Sequence, residues 1–194
     1  MIIYLHGFRS APASIKAQAL QCHMAAKGLA HAFWCEQLPV SPRAAIALIE
    51  AQIAHCRHER PGLPPTLVGS SLGGFYATWL AEKHGLAAAL VNPAVVAPLS
   101  LEAWLGPQTN LYTGERFDFT SRHIEELRAL DIAAITRPER YWLLAETGDE
   151  VLDYRDAVAK YAGARQTVLA GGDHGFSRWN DYLDALLAFA GLAS

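Results

Sequence analysis

Six short runs of mostly apolar residues recur along the chain, and the stretches between them carry helical spacing. The runs are Ile2–Leu5, Ala32–Cys35, Thr66–Gly69, Ala88–Val91, Tyr141–Ala145 and Gln166–Leu169. Near-continuous apolarity over so few residues suits strands covered on both faces, as in a parallel sheet. Between them, Ser41-Pro42 offers an N-cap with proline at the first helical position, and Ile46, Ile49, Ile53 and Cys56 follow at spacings of three and four. Asp153 to Tyr161 forms a shorter helix that Gly163 closes, and Tyr182, Leu183, Leu186, Leu187 and Phe189 give the carboxyl-terminal helix one apolar face. Strand–helix alternation of this kind predicts an open α/β sheet of about six parallel strands, with right-handed crossovers and helices on both faces. In such sheets ligands gather at the carboxyl ends of the strands.

Composition narrows the class. The chain has 194 residues, 52% hydrophobic and 18% charged, which fits a single globular domain over 1–194. The net charge of −3 and the scattered Lys and Arg predict neither nucleic-acid binding nor a polybasic membrane patch. Cys22, Cys35 and Cys56 are odd in number and show no paired spacing, so the expectation is three buried thiols in a reducing cytoplasm. The start "MIIYLHGF" has no basic n-region, and residues 86–101 are broken by Asn92, Pro93 and Pro98 short of the ~20 apolar residues of a span. No membrane span is expected.

Residues 92–140 break the rhythm. They hold aromatic and turn residues and a helix around His123–Leu130, but no clear strand. They read either as a short lid insertion above the strand ends or as a packed crossover.

The chemistry centres on "TLVGSSLGGFYATWL", residues 66–80. Within it "GSSLG" fits G-x-S-x-G with Ser71 at the middle, a strand before it and a helix after. That is the setting of a nucleophile elbow, where a serine accepts a strained backbone and Gly69 and Gly73 remove side chains that would collide. The following helix directs its amino-terminal dipole at developing negative charge. Ser70 takes a structural role.

A serine hydroxyl needs a base, and the base needs an acid to orient it. His174, in the glycine-rich loop after the last strand, is the base on position, with His123 a distant second. His6 precedes the serine, and His23, His31, His55, His58 and His84 fall on helices or their ends. Asp149, in the turn leaving the strand before, is the acid, with Glu146 in reserve; Asp153 fits a helix N-cap better. "YLHGF" follows the first strand, so the backbone N–H groups of Phe8 and Leu72 are the candidate oxyanion hole.

Taken together, "YLHGF", "GSSLGGFYATWL", "VNPAV", "YTGERF", "SRHI" and "TGDEVLDYR" resemble the YqiA-type esterases, a small bacterial branch of the α/β-hydrolase superfamily. The resemblance covers nearly the whole chain. It implies a compact α/β-hydrolase fold with sheet order 2-1-3-4-5-6, lacking the first two strands of larger members. It also implies Ser71 as nucleophile, Asp149 as acid and His174 as base, and the hydrolysis of carboxylic esters, including acyl thioesters. Arg9 replaces a more usual small polar residue beside the oxyanion amides and Asp173 replaces a usual Asn.

The expected activity is therefore that of a serine esterase working through an acyl-enzyme, without metal or organic cofactor, on a small-molecule ester or thioester. An acyl-CoA thioesterase with the same triad, with Arg9 or Arg116 on phosphates, and an idle hydrolase fold that binds a small molecule are the alternatives. Trp104, Tyr112, Phe117 and Phe119 are candidates for an acyl pocket or for ordinary core. Asn92 leaves a strand end near the cleft.

Overall fold

Successive side chains of a strand face opposite sides of its sheet, and both sides here are covered. The computed structural model describes residues 1–96 and 101–193. Its main elements, in chain order, are β1 (Ile2–Leu5), α1 (Ile15–Ala26), β2 (Phe33–Trp34), α2 (Pro42–Glu59), β3 (Thr66–Ser70), α3 (Leu72–His84), β4 (Ala88–Val91), β5 (Gly106–Thr109), β6 (Arg116–Phe119), α4 (Ser121–Arg128), β7 (Tyr141–Glu146), α5 (Tyr154–Lys160), β8 (Arg165–Leu169) and α6 (Leu183–Phe189). Ile3 and Leu5 of β1 pack with Ile46, Ile49 and Ile53 of α2, with α3, and with Ile124 of α4 and Ala157 of α5. Ile2 and Tyr4 face the other way, onto Ala17, Leu20 and Met24 of α1 and Leu183, Leu186 and Leu187 of α6. β7 divides likewise, Leu143 to the first layer and Trp142 and Leu144 to the second.

The sheet runs β2-β1-β3-β4-β7-β8 with every neighbouring pair parallel, which is the expected 2-1-3-4-5-6 order. Leu5 pairs with Gly69 and Ser70 with Val91, so the carboxyl ends of the central strands finish at one rim. Both edges differ from the sequence expectation. β2 contracts to two half-buried residues, and β8, with no strand on its outer side, is nowhere fully buried and exposes Arg165 and Val168. Arg165 compensates in part, its guanidinium lying 3.8 Å from the centre of the Trp142 ring.

Helix starts follow the sequence. Ser41 Oγ accepts the Ala44 N–H at 3.2 Å with Pro42 at the first turn, and Asp153 Oδ1 accepts the Arg155 N–H at 3.0 Å. Cys56 is buried and Cys35 half-buried, but Cys22 is exposed on the solvent side of α1, so the expectation of three buried thiols fails there. Among the described residues no helix is long and apolar enough to cross a membrane.

The segment 92–140, of which 97–100 lie outside the described residues, does contain strands. β5 and β6 form an antiparallel hairpin, Gly106 opposite Phe119 and Thr109 opposite Arg116. Its sequences, GPQT and RFDF, lack an apolar run because the hairpin is largely exposed. Asn110 shapes its turn, Oδ1 accepting the Tyr112 and Thr113 N–H groups at 2.9 and 3.1 Å. The tip is fastened to the loop after β1. The Leu111 N–H donates to Arg9 O at 2.8 Å, Arg9 Nε to Thr109 O at 2.9 Å, and Asn110 Nδ2 to Ser10 O at 2.8 Å. The Phe8 ring meets Phe119, Phe117 and Trp104 edge-on, with centroids 4.9, 6.0 and 6.3 Å away.

Ile49 has no exposed surface and Leu63 is 68% exposed. Ile49→Ala is expected to lower unfolding free energy by about 2–5 kcal/mol, and Leu63→Ala by no more than about 0.5 kcal/mol, as read by urea titration.

Candidate active site

Ser71 occupies the single residue between β3 and α3 and pays for that position in backbone strain, with φ 54° and ψ −121°. The turn closes so tightly that a Cβ on Gly73 would sit 2.0 Å from Leu5 O, and one on Gly69 would sit 2.3 Å from Gly73 O. Only hydrogen fits at either position. The Ser71 N–H donates to Val91 O at 3.1 Å, and its carbonyl accepts from Gly74 and Ala94 at 2.9 and 3.0 Å, which locks the strained residue to β4 and α3.

His174 lies in the loop after β8 and Asp149 in the turn after β7. His174 Nε2 is 3.1 Å from Ser71 Oγ, and its Nδ1 is 3.0 and 2.9 Å from the two Asp149 oxygens. The three side chains thus form one hydrogen-bonded chain across the sheet rim, and it is Ser71, not Ser70, that reaches the imidazole. The Asp149 side chain is only 2% exposed. Burial disfavours its charge, but hydrogen bonds from His174 and from the Leu152 and Val151 N–H groups together outweigh that and hold it below the ordinary aspartate range. A neighbouring carboxylate, Glu150, accepts the His174 backbone N–H at 2.9 Å.

Sequence reasoning held Glu146 in reserve as the acid; the structure gives it another place. Its carboxylate has no exposed surface and does not touch His174. It accepts the Asp173 and Ser177 N–H groups at 2.9 and 3.0 Å, the Ser177 hydroxyl at 3.2 Å and Arg178 Nε at 3.0 Å. Burial opposes the charge here too, and the backbone and hydroxyl donors overcome it, so the carboxyl group lies below its ordinary range. Asn92 grips the same loop from β4. Its Nδ2 donates to Asp173 O and His174 O at 3.0 and 3.2 Å, and its Oδ1 accepts the Glu146 N–H at 2.9 Å. Asn92 is 3% exposed and holds φ 40°, a conformation asparagine tolerates well. A polar residue at a strand end, followed by proline, was the available signal for it.

His6 and His123 are both structural. His6 Nε2 accepts the Leu38 N–H at 3.0 Å and Nδ1 faces Gly7 O at 3.1 Å, an arrangement of the neutral ring, and burial lowers its pKa accordingly. His123 Nδ1 accepts the Thr120 N–H at 3.0 Å and completes a capping box on α4, with its ring stacked on Phe119. His84 pairs with Glu50 and His23 with Asp184.

Gly7 passes directly beside Ser71: a Cβ there would lie 3.2 Å from Ser71 Cβ. Among the described residues, neither the Phe8 N–H nor the Leu72 N–H has an acceptor. A cleft of about 400 Å³ opens over Ser71 and His174, with Tyr112 and Leu111 on its rim. A second hollow of about 210 Å³ shares the 6–10 loop and is lined by Leu72, Tyr76 and Phe117. Phe119 is core at 2% exposure, and Trp104 packs over the Arg9 guanidinium, 5.2 Å from its centre, lining neither cavity.

A family model described as an uncharacterised protein family (UPF0227), the YqiA family, matches residues 1–191. The chain belongs to this family. Solved structures of the same architecture include the alpha/beta hydrolase domain-containing protein 10 from mouse, with 19% identity and a TM-score of 0.67 over 96% of this chain and 89% of that one. The esterase domain of a Rhodothermus marinus protein matches with 19% identity and a TM-score of 0.63, covering 97% of this chain and 85% of that one. A monoacylglycerol lipase from Paleococcus ferrophilus matches with 14% identity and a TM-score of 0.68, covering 99% and 94%. The family member described here therefore has the α/β-hydrolase fold.

Two outcomes follow from the buried carboxylate. Glu146→Ala strands Arg178 and several N–H groups, and is expected to cost about 3 kcal/mol of stability; Glu146→Gln, which keeps an acceptor, costs less. Because Glu146 and Asp149 both have depressed folded values, their contribution is complete above the ordinary carboxylate range and fades as pH falls below about 4. Thermal melts from pH 7 to pH 3 check this, and Glu146→Gln flattens the acid limb.

Proposed function

We propose that the chain is a serine esterase that hydrolyses carboxylic esters through an acyl-enzyme. The observation that carries this reading is the continuous hydrogen-bonded path from Ser71 Oγ through His174 to a buried, ionised Asp149, at the mouth of an open cleft. Asp149 accepts Nδ1–H, which leaves Nε2 as the basic nitrogen facing the serine hydroxyl. Nε2 takes the hydroxyl proton as Oγ attacks the ester carbonyl. The carbonyl oxygen gains negative charge, and the Phe8 and Leu72 N–H groups, which have no acceptor among the described residues, are available to receive it beside the amino end of α3. His174 then returns the proton to the departing alkoxide. Water enters, gives a proton to Nε2 and attacks the acyl-Ser71; as the tetrahedral intermediate collapses, Nε2 returns that proton to Ser71 Oγ and the acid leaves.

The strained backbone of Ser71 supports the same role, since a residue held at φ 54° by close packing keeps its hydroxyl where the imidazole can use it. Proteins of the same fold named as an esterase domain and a monoacylglycerol lipase are consistent with it. Arg9, considered for a thioesterase's phosphates, directs its Nε to Thr109 O and lies over the Trp104 ring. Parallel assays on an oxygen ester and a thioester of one acyl group separate the two substrates.

Ser71→Ala is expected to lower turnover of p-nitrophenyl butyrate by about 10⁶-fold and to abolish labelling by a fluorophosphonate probe. Turnover that survives the substitution overturns the assignment.

A further inference from the structure

The cleft over Ser71 has a positive end that the esterase reading does not use. Ser14, Ile15 and Lys16, the cap and first turn of α1, line it together with Ser71 and His174. Lys16 Nζ donates to Gly175 O at 2.7 Å, and among the described residues no carboxylate lies within ion-pairing distance of it. A half-buried ammonium without a counter-ion is costly. Burial accordingly pushes its pKa down to about 8, against the pull of Asp173, Asp149 and Glu146, so the amine is still mostly charged at neutral pH. Two of those carboxylates are already committed, Asp149 to His174 and Glu146 to Arg178. The third, Asp173, is exposed and screened by water.

Ser14 supplies a second, independent sign. It holds the N-cap position of the twelve-residue α1, yet its hydroxyl makes no cap bond. The residue is 7% exposed, and its Oγ is the one buried side-chain polar atom without a partner among the described residues. A buried hydroxyl in that state calls for a hydrogen-bond partner. The amino end of α1 adds unsatisfied N–H groups and the positive pole of the helix. Around this corner the rim is apolar, with Ile15, Leu111 and Tyr112 exposed by 79%, 69% and 44%.

We infer that the Ser14–Lys16 turn is a subsite for an anionic oxygen group, a carboxylate or a phosphate, carried by the same molecule whose ester carbonyl sits at Ser71. The inference rests on the esterase reading for its substrate and makes that substrate an amphiphilic, negatively charged ester. Lys16 is then a specificity-determining residue: it receives the charge while its bond to Gly175 O ties that charge to the loop bearing His174.

Binding can be tested apart from turnover. Calorimetry on the Ser71→Ala protein compares monomethyl glutarate and phenyl phosphate with neutral dimethyl glutarate. At least one anion should bind about tenfold or more tightly than the diester; which of the two does so identifies the group. Adding Lys16→Gln should remove that advantage and Lys16→Arg should retain it, with melting curves confirming the fold of each. On unsubstituted Ser71, the ratio of kcat/KM for p-nitrophenyl hydrogen glutarate over p-nitrophenyl butyrate should fall about tenfold in Lys16→Gln. Anions that bind no better than the diester, or a Lys16→Gln loss equal for charged and neutral ligands, overturn the subsite. Absence of hydrolysis of either ester overturns the esterase reading instead, and the calorimetric comparison still decides the subsite.

Discussion

The whole site depends on how closely α3 approaches β1 and β3. One residue separates strand from helix, and the approach leaves no room for a side chain at Gly69 or Gly73. That closeness forces Ser71 into a conformation that L-residues avoid, and it also places the first turn of α3 against the end of β1. The serine hydroxyl, the amino end of a helix and the loop after β1 therefore meet as a consequence of one packing contact. Relaxing that contact by about an ångström would disperse all three.

The histidine poses the opposite problem. It sits on an exposed glycine-rich loop, where a backbone is ordinarily free to move. Here two buried polar side chains from neighbouring strands grip the loop, Asn92 by the carbonyls of Asp173 and His174 and Glu146 by N–H groups on both sides of His174. Asn92 also accepts the Glu146 N–H, so the grips share a bond. A buried carboxylate is tolerable only because its lone pairs are all engaged. The precision of a loop is thus borrowed from the sheet.

The residues legible in the sequence are those whose role is local. Ser71 declares itself by the glycines around it, Asp149 and His174 by standing just past strands, and the caps Ser41 and Asp153 by sitting one residue before their helices. The sheet order followed from the resemblance and from the rarity of other crossovers. What stayed hidden depends on distant contacts. Glu146 and Asp149 are both acids at the end of β7, and only the paths of loops 147–153 and 170–178 decide which meets the imidazole. The β5–β6 hairpin escaped notice because its strands are four residues long, exposed on one face, and paired through a turn built by Asn110. Lys16 gave no signal at all, since a lysine in the first turn of a helix is ordinarily solvated.

The hairpin also bears on what the 92–140 segment does. A flap that swings clear of a cleft must be weakly attached at its tip, and this tip is tied down. Three hydrogen bonds join it to Arg9 and Ser10, each contributing about 1 kcal/mol net. The Phe8 ring is wedged among aromatic rings of the segment. Lifting it would uncover that ring and pull on the backbone that carries the Phe8 N–H. We therefore read the segment as a brace. It fixes the loop that carries the Phe8 N–H, much as Asn92 and Glu146 fix the loop that carries His174, so that both loops flanking Ser71 are held from outside themselves.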